Sequence, residues 1–314
     1  MTDCLVVGGG FLGSHVAVAL ARAGHRVTVY SRSFNPWLDA AAPVSSWAAG
    51  GVIRRVAGVL PAGRGLVELI AAADVVFYLG GTSTPTMAHT DPGGSITSFV
   101  VPAAALFDLM RATSTRRIVL ASSGGTVYGK VGRLPTPEDH PTEPISIHGH
   151  NSLTVERYAM FYARHHDFEP VILRYANPYG PGQLPRRGQG VIATWCDALA
   201  RGEPILLYGD PATRRDLVYV EDAAEATVRA GFIDAGPAVY NVGSGRSWSL
   251  EELVARLQDV VGARARVERR PGRGVDVPAT ELDCSRLRAA TGWSAPTELD
   301  EGLRATWAWA RGRL

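Results

Sequence analysis

Between a short apolar run and a helical stretch the chain reads GGGFLG, with Gly8, Gly10 and Gly13 spaced G-x-G-x-x-G. Glycines so spaced allow a tight turn and let the backbone approach a pyrophosphate at a helix N-terminus, which is the chemistry of dinucleotide binding. Phe11 and Leu12 sit between the last two glycines, and Leu79 and Gly80 close the run ADVVFYLGG. All four are candidate cofactor contacts. The second β-branched run ends VTVYSRS. NAD sites usually carry an acidic residue there for the ribose 2′-hydroxyl, whereas Ser31 and Arg32 stand here, and an arginine suits a 2′-phosphate. NADP is therefore favoured over NAD; the bland alternative is an Arg32 that is merely exposed or stacks on adenine. Further along, SIHGHNSLTVE (146–156) carries His148 and Ser152. An imidazole titrates near pH 6.5, so His148 could shuttle a proton at neutrality without a tuning partner.

The elements around these residues alternate. CLVVGG (4–9) leads into a helix from about Phe11 to Ala23, then RVTVY (26–30); ADVVFYLGG (73–81) precedes a helix near 98–112, then RRIVLASS (116–123). A helix from about Gly149 to Arg164 leads to PVILRY (170–175), and VYNVG (239–243) reads as a last sheet strand. A weaker strand falls near Val52–Val56. Apolar strands without alternation, separated by helices, predict an α/β fold, a doubly wound parallel sheet of Rossmann type. From about Pro178 the texture turns Gly/Pro-rich. Residues 1–175 with about 216–247 are expected to form the dinucleotide-binding domain. Stretches of about 176–215 and 248–314 are expected to form a smaller lobe over the sheet's C-terminal edge, where such sheets bind ligands.

Composition narrows the partners. The 314 residues carry a formal net charge of +2 and no long arginine run, which gives no electrostatic case for nucleic acid. No apolar stretch is expected to approach the length of a membrane span. The start CLVVGGG, preceded by Asp3 and broken by glycines, reads as strand and turn and not as a leader. Cys4, Cys196 and Cys284 are odd in number and scattered, fitting neither a disulfide framework nor a metal site, which points to a reducing cytoplasm. Lys130 is the only lysine in a chain otherwise rich in arginine.

The order GGGFLGSH, ASSGGTVYG, PEDHPTEPIS, VILRYANPYGPGQ, GEPILLYGD, RRDLVYVEDAAEA, YNVGSG, RRPG and LDEGLRATWAWA runs over roughly the whole chain. In this order and spacing the sequence resembles the extended short-chain dehydrogenase/reductases, the NAD-dependent epimerase/dehydratase group, and most closely its UDP-glucose 4-epimerase-like members. The resemblance implies a Rossmann domain holding NAD or NADP, and a C-terminal lobe gripping a nucleotide diphosphate sugar. It implies diphosphate contacts at Arg215 and Arg270, a sugar-diphosphate contact at Asn177, and Tyr175 near the nicotinamide. Ser123, Gly124, Val191 and Tyr208 complete the implied substrate side. Arg214, Arg269 and Arg273 are set aside as a solvated basic loop. The resemblance also implies a homodimer through the helices near 98–112 and 149–164.

The catalytic positions depart from the family. Its chemistry rests on Tyr-x-x-x-Lys and a Ser or Thr at the preceding strand end. Alignment puts His148 at the tyrosine, Ser152 at the lysine and Gly124 at the hydroxyl position, with Thr126 two residues on. Drift in an arginine-rich chain would have left arginine at 152. The family's glycine triplet also begins one residue earlier, at Val7. Three readings stand open. His148 replaces the tyrosine as acid/base, Ser152 bonding the ribose and Thr126 orienting the hydroxyl. Alternatively the acid and base lie elsewhere, among Tyr128, Glu143, His150 and Tyr179. Or the chain is a nucleotide-sugar or NADP binder without turnover. C4 epimerisation of a nucleotide diphosphate hexose or uronate is the default activity. NADPH-dependent ketoreduction or dehydration is the alternative.

Overall fold

A computed structural model describes residues 1–41, 53–60, 65–81, 85–185, 190–234, 236–272, 274 and 276–313. The first half lays down β1 (Asp3–Val7), α1 (Phe11–Arg22), β2 (Arg26–Ser31), α2 (Trp37–Ala41), β3 (Ile53–Ala57), α3 (Leu66–Ala71) and β4 (Val75–Tyr78). It continues with α4 (Pro85–Thr90), α5 (Pro92–Arg111), β5 (Arg117–Ser123), α6 (Ile147–His166) and β6 (Glu169–Tyr175). Then follow β7 (Asn177–Tyr179), α7 (Val191–Ala200), β8 (Ile205–Tyr208), β9 (Arg214–Tyr219), α8 (Val220–Gly231) and β10 (Ala238–Val242). The chain ends with β11 (Ser247–Ser249), α9 (Leu250–Val261), β12 (Val267–Arg270), α10 (Ser285–Thr291) and α11 (Leu299–Gly312).

Seven strands form one parallel sheet in the order β10-β6-β5-β4-β1-β2-β3. The strand order reverses between β4 and β1, and a crevice opens at their carboxyl ends, as doubly wound sheets require. Alternate residues of each strand feed two cores: Val6, Phe77 and Val119 face α1 and α8, whereas Leu5, Tyr78 and Leu120 face α3, α5 and α6. Burial on both faces is why these strands read as unbroken apolar runs. A third core gathers Ile192, Trp195, Leu253, Leu257 and Leu303 beneath the small sheets β11-β9-β7 and β12-β8. Leu282, Cys284, Leu287 and Trp293, late in the chain, return to pack on the large sheet. Trp307 packs beside the third core.

Several boundaries move from their sequence positions. Asp91 caps α5 through the Gly94 amide with Pro92 in the first turn, so the helix starts six residues before 98. Ser146 caps α6 through the Gly149 amide, which draws His148 into the first helical turn. The weak strand runs Ile53–Ala57; Val52 lies outside the described residues, as does Arg273. One expectation is overturned. At 20 residues and mean hydropathy 1.4, α5 is long and apolar enough to cross a membrane by length and composition. Here it buries Ala103, Leu106, Phe107 and Met110 against the sheet, and Pro102 interrupts its hydrogen-bond ladder.

Candidate active site

A cleft of about 1960 Å³ runs along the carboxyl ends of β2, β1, β4 and β5 and on under β8 and β9. At one end the turn after β1 brings Gly8, Gly9, Gly10, Phe11 and Leu12 to its wall. Gly8 has φ +119°, and a Cβ there would lie 2.7 Å from the Gly80 amide nitrogen. A Cβ on Gly13 would fall 1.8 Å from the Gly8 carbonyl, so Gly13 shapes the turn without lining the cleft. This cradle leaves the N-terminus of α1 open to a pyrophosphate and fits a dinucleotide. Ser31 and Arg32 line the cleft at the end of β2; the Ser31 hydroxyl donates to the Ser33 carbonyl (2.7 Å), while Arg32 is exposed. Leu79 and Gly80 line it beyond β4.

At the middle of the cleft stand Ser123, Thr126 and His148. His148 is held edge-on by Phe99 of α5, and its Nδ1 is buried with no hydrogen-bond partner among the described residues. Burial pushes its pKa down to about 4. The positive end of the α6 dipole acts in the same direction. This corrects the expectation of an imidazole poised near neutrality: the ring is uncharged at physiological pH. Two further candidates do not face the cleft. Ser152 is buried, with its hydroxyl donated to the His148 carbonyl one turn back (2.9 Å). Gly124 is buried against Leu282, and a Cβ there would sit 2.6 Å from Leu282 Cδ1 and 3.0 Å from the Arg174 carbonyl. The position aligned with a catalytic hydroxyl has no room for one.

The other candidate acids and bases are occupied or distant. Tyr175, expected near the nicotinamide, is buried with its hydroxyl 2.6 Å from Thr227 Oγ1. Tyr128 donates to Asn241 (2.7 Å) and accepts from Arg174 (3.0 Å), inside a buried group that includes the Arg174–Glu156 ion pair. Tyr179 lines the cleft but donates to the Leu299 carbonyl (3.3 Å), and His150 and Glu143 are exposed outside it.

On the far side Asn177, Val191, Tyr208 and Arg215 line the cleft together. Asn177 is fixed by donating to the Asp216 carbonyl (2.8 Å), and Arg215 by donating to the Arg214 and Val277 carbonyls (both 2.9 Å). Asp216 itself is buried and receives the Ser244 and Leu282 amides, while burial raises its pKa to about 6. Arg270 does not reach the wall. Its side chain is half-exposed and held by Glu268 (2.8 Å), although Pro271 and Gly272 beside it do line the cleft. Sequence reasoning missed Tyr78, Phe99 and Leu282. Only Tyr78 carried a signal, as an aromatic closing a parallel strand immediately before the Leu79-Gly80 turn.

Sheet, switch point and glycine turn define a Rossmann-type protein, with one cleft running from the glycine turn to Asn177 and Arg215. The chain belongs to the NAD dependent epimerase/dehydratase family, which it matches over residues 4–243. It is 34% identical to a UDP-glucose 4-epimerase of Mycolicibacterium smegmatis over 233 residues, 74% of each chain. Among solved structures it is similar to Thermotoga maritima UDP-glucose 4-epimerase with UDP-glucose (TM-score 0.88, 27% identity, 99% of each chain). It is equally similar to Thermus thermophilus UDP-glucose 4-epimerase with NAD (TM-score 0.88, 27% identity, 99% and 100% covered).

Proposed function

We propose that this chain epimerises C4 of a nucleotide diphosphate hexose or its uronate, UDP being the favoured carrier, through a transient 4-keto sugar. The single observation that carries this reading is the continuity of the cleft, from the glycine turn past His148 to Asn177 and Arg215. A dinucleotide bound in the cradle supplies the hydride acceptor and donor. The chain's own part is positional and protonic. Arg215 and Asn177 hold the diphosphate, and Thr126 orients the 4-hydroxyl. The neutral His148 nitrogen would accept that hydroxyl's proton during oxidation at C4 and would return it on reduction of the keto sugar. With its pKa lowered to about 4 by burial, the imidazole is uncharged at neutral pH and so has a nitrogen free to accept that proton.

NAD is the cofactor this reading favours, because the Thermus relative binds it. Arg32, exposed at the end of β2, supports NADP and a ketoreductase as the second reading. Met87, Ile96, Val101, Tyr158 and Phe161 are exposed on α4, α5 and α6, which supports a homodimer sealed by the last two helices.

The test is incubation with UDP-, dTDP- and GDP-sugars, following products by NMR and NADPH by absorbance, with His148→Phe alongside. Epimer formation without net cofactor use, lost in the variant, is the expected result. Stoichiometric cofactor consumption would favour the reductase. Binding without turnover across the panel would overturn both.

A further inference from the structure

We infer that the Tyr78 hydroxyl is a cofactor ligand, donating a hydrogen bond to the nicotinamide half of the bound dinucleotide. This rests on the dinucleotide assigned above. Tyr78 closes β4, 3% exposed, and its hydroxyl is buried with no partner among the described residues. A buried hydroxyl left unpaired costs about 1–3 kcal/mol, so such a group in a cleft wall calls for a ligand. Two further observations place it. The ring end that bears the hydroxyl lies beside Gly80: a Cβ on that glycine would meet Cε2 at 3.1 Å and Cζ at 3.6 Å. Gly80 and Tyr78 both line the cleft, and Gly80 packs against the Gly8 turn proposed to cradle the pyrophosphate.

The half of the dinucleotide follows from strand order. Ser31 and Arg32, at the adenosine end, close β2, and β2 and β4 flank β1 on opposite sides. A dinucleotide whose pyrophosphate crosses the end of β1 therefore carries its nicotinamide half over β4. Burial holds the phenol pKa well above its usual value, so the group is a donor throughout the working pH range. Among the described cleft residues of β4, β5 and the first turn of α6, Tyr78 and His148 alone carry titratable side chains. His148 faces the sugar hydroxyl in the proposed reaction, which leaves Tyr78 for the cofactor.

Tyr78→Phe removes only the oxygen. NAD and ADP affinities are measured by calorimetry on nucleotide-free wild type and variant, together with the thermal midpoint of each. The expected result is NAD binding weakened about ten-fold, a loss of about 1.4 kcal/mol. ADP binding stays unchanged, and the unliganded midpoint is equal or higher because an unpaired group is gone. Equal weakening of NAD and ADP, or unchanged NAD affinity, would overturn the assignment. A lower unliganded midpoint with unchanged NAD affinity would overturn it by showing an internal partner. Failure of the wild type itself to bind NAD would instead sink the dinucleotide reading. Should the phenylalanine variant not fold, Tyr78→His keeps a donor at the site, and its NAD-to-ADP affinity ratio takes the place of the first comparison.

Discussion

The edge of Phe99 lies against the imidazole of His148, the two ring centroids 5.6 Å apart at 68°. Nδ1 is buried with no partner among the described residues, and burial lowers the ring's pKa to about 4, so the ring stays neutral and weakly basic. A base with a pKa near 4 must be unprotonated to act. The rate is therefore flat from neutrality downward and falls only as the pH approaches 4. Phe99→Ala admits water to Nδ1 and moves that acid limb upward, toward the ordinary histidine value near 6.5. The kcat/KM profile of the two proteins reads the shift directly; superimposed profiles would remove His148 as the base.

Stability has a matching pH dependence. His148 and His15 both have folded pKa values lowered to about 4, His15 by burial under Trp37 while bonded to the Pro181 carbonyl. As the pH falls below about 6.5 the unfolded chain takes up these protons first, so the folded state loses ground until about pH 4. Each ring accounts for up to roughly 3 kcal/mol over that window. Urea denaturation at pH 7 and pH 4.5 should show the loss, and His148→Phe should shrink it.

Restoring a hydroxyl at position 124 should harm the fold and not help the chemistry. Gly124→Ser drives its Cβ into Leu282 and the Arg174 carbonyl, an overpacking worth about 1–3 kcal/mol. Leu282→Ala alone opens a cavity costing about 2–5 kcal/mol. The double variant fills one defect with the other, so its loss is smaller than the sum of the two. Strict additivity in a double-mutant cycle would show that these positions do not meet.

Arg32 decides cofactor preference if it reaches a 2′-phosphate. Arg32→Ala should weaken NADP about ten-fold while leaving NAD unchanged, since a lost charge-assisted contact is worth about 1.5–3 kcal/mol when unscreened. Parallel titrations of the two dinucleotides at low salt check it. Equal effects on both would mean that the guanidinium packs on adenine or stays in solvent.

The chain's local chemistry determined the sheet, the cofactor turn and the family. Strands buried on both faces need unbroken apolar runs, and a turn that cradles phosphate needs glycine at Gly8 and Gly13, so both properties are written residue by residue. The family resemblance likewise pointed to Asn177 and Arg215, and both line the cleft. Which polar groups are free could only be settled in three dimensions. Tyr175 is taken by Thr227, Ser152 by its own helix, and Gly124 is shut by Leu282, 158 positions away. Burial, with Phe99 among its neighbours, takes from His148 the neutrality-centred pKa its residue type suggests. Burial and partner choice depend on residues distant in sequence, and a pKa depends on what surrounds the group more than on the group itself.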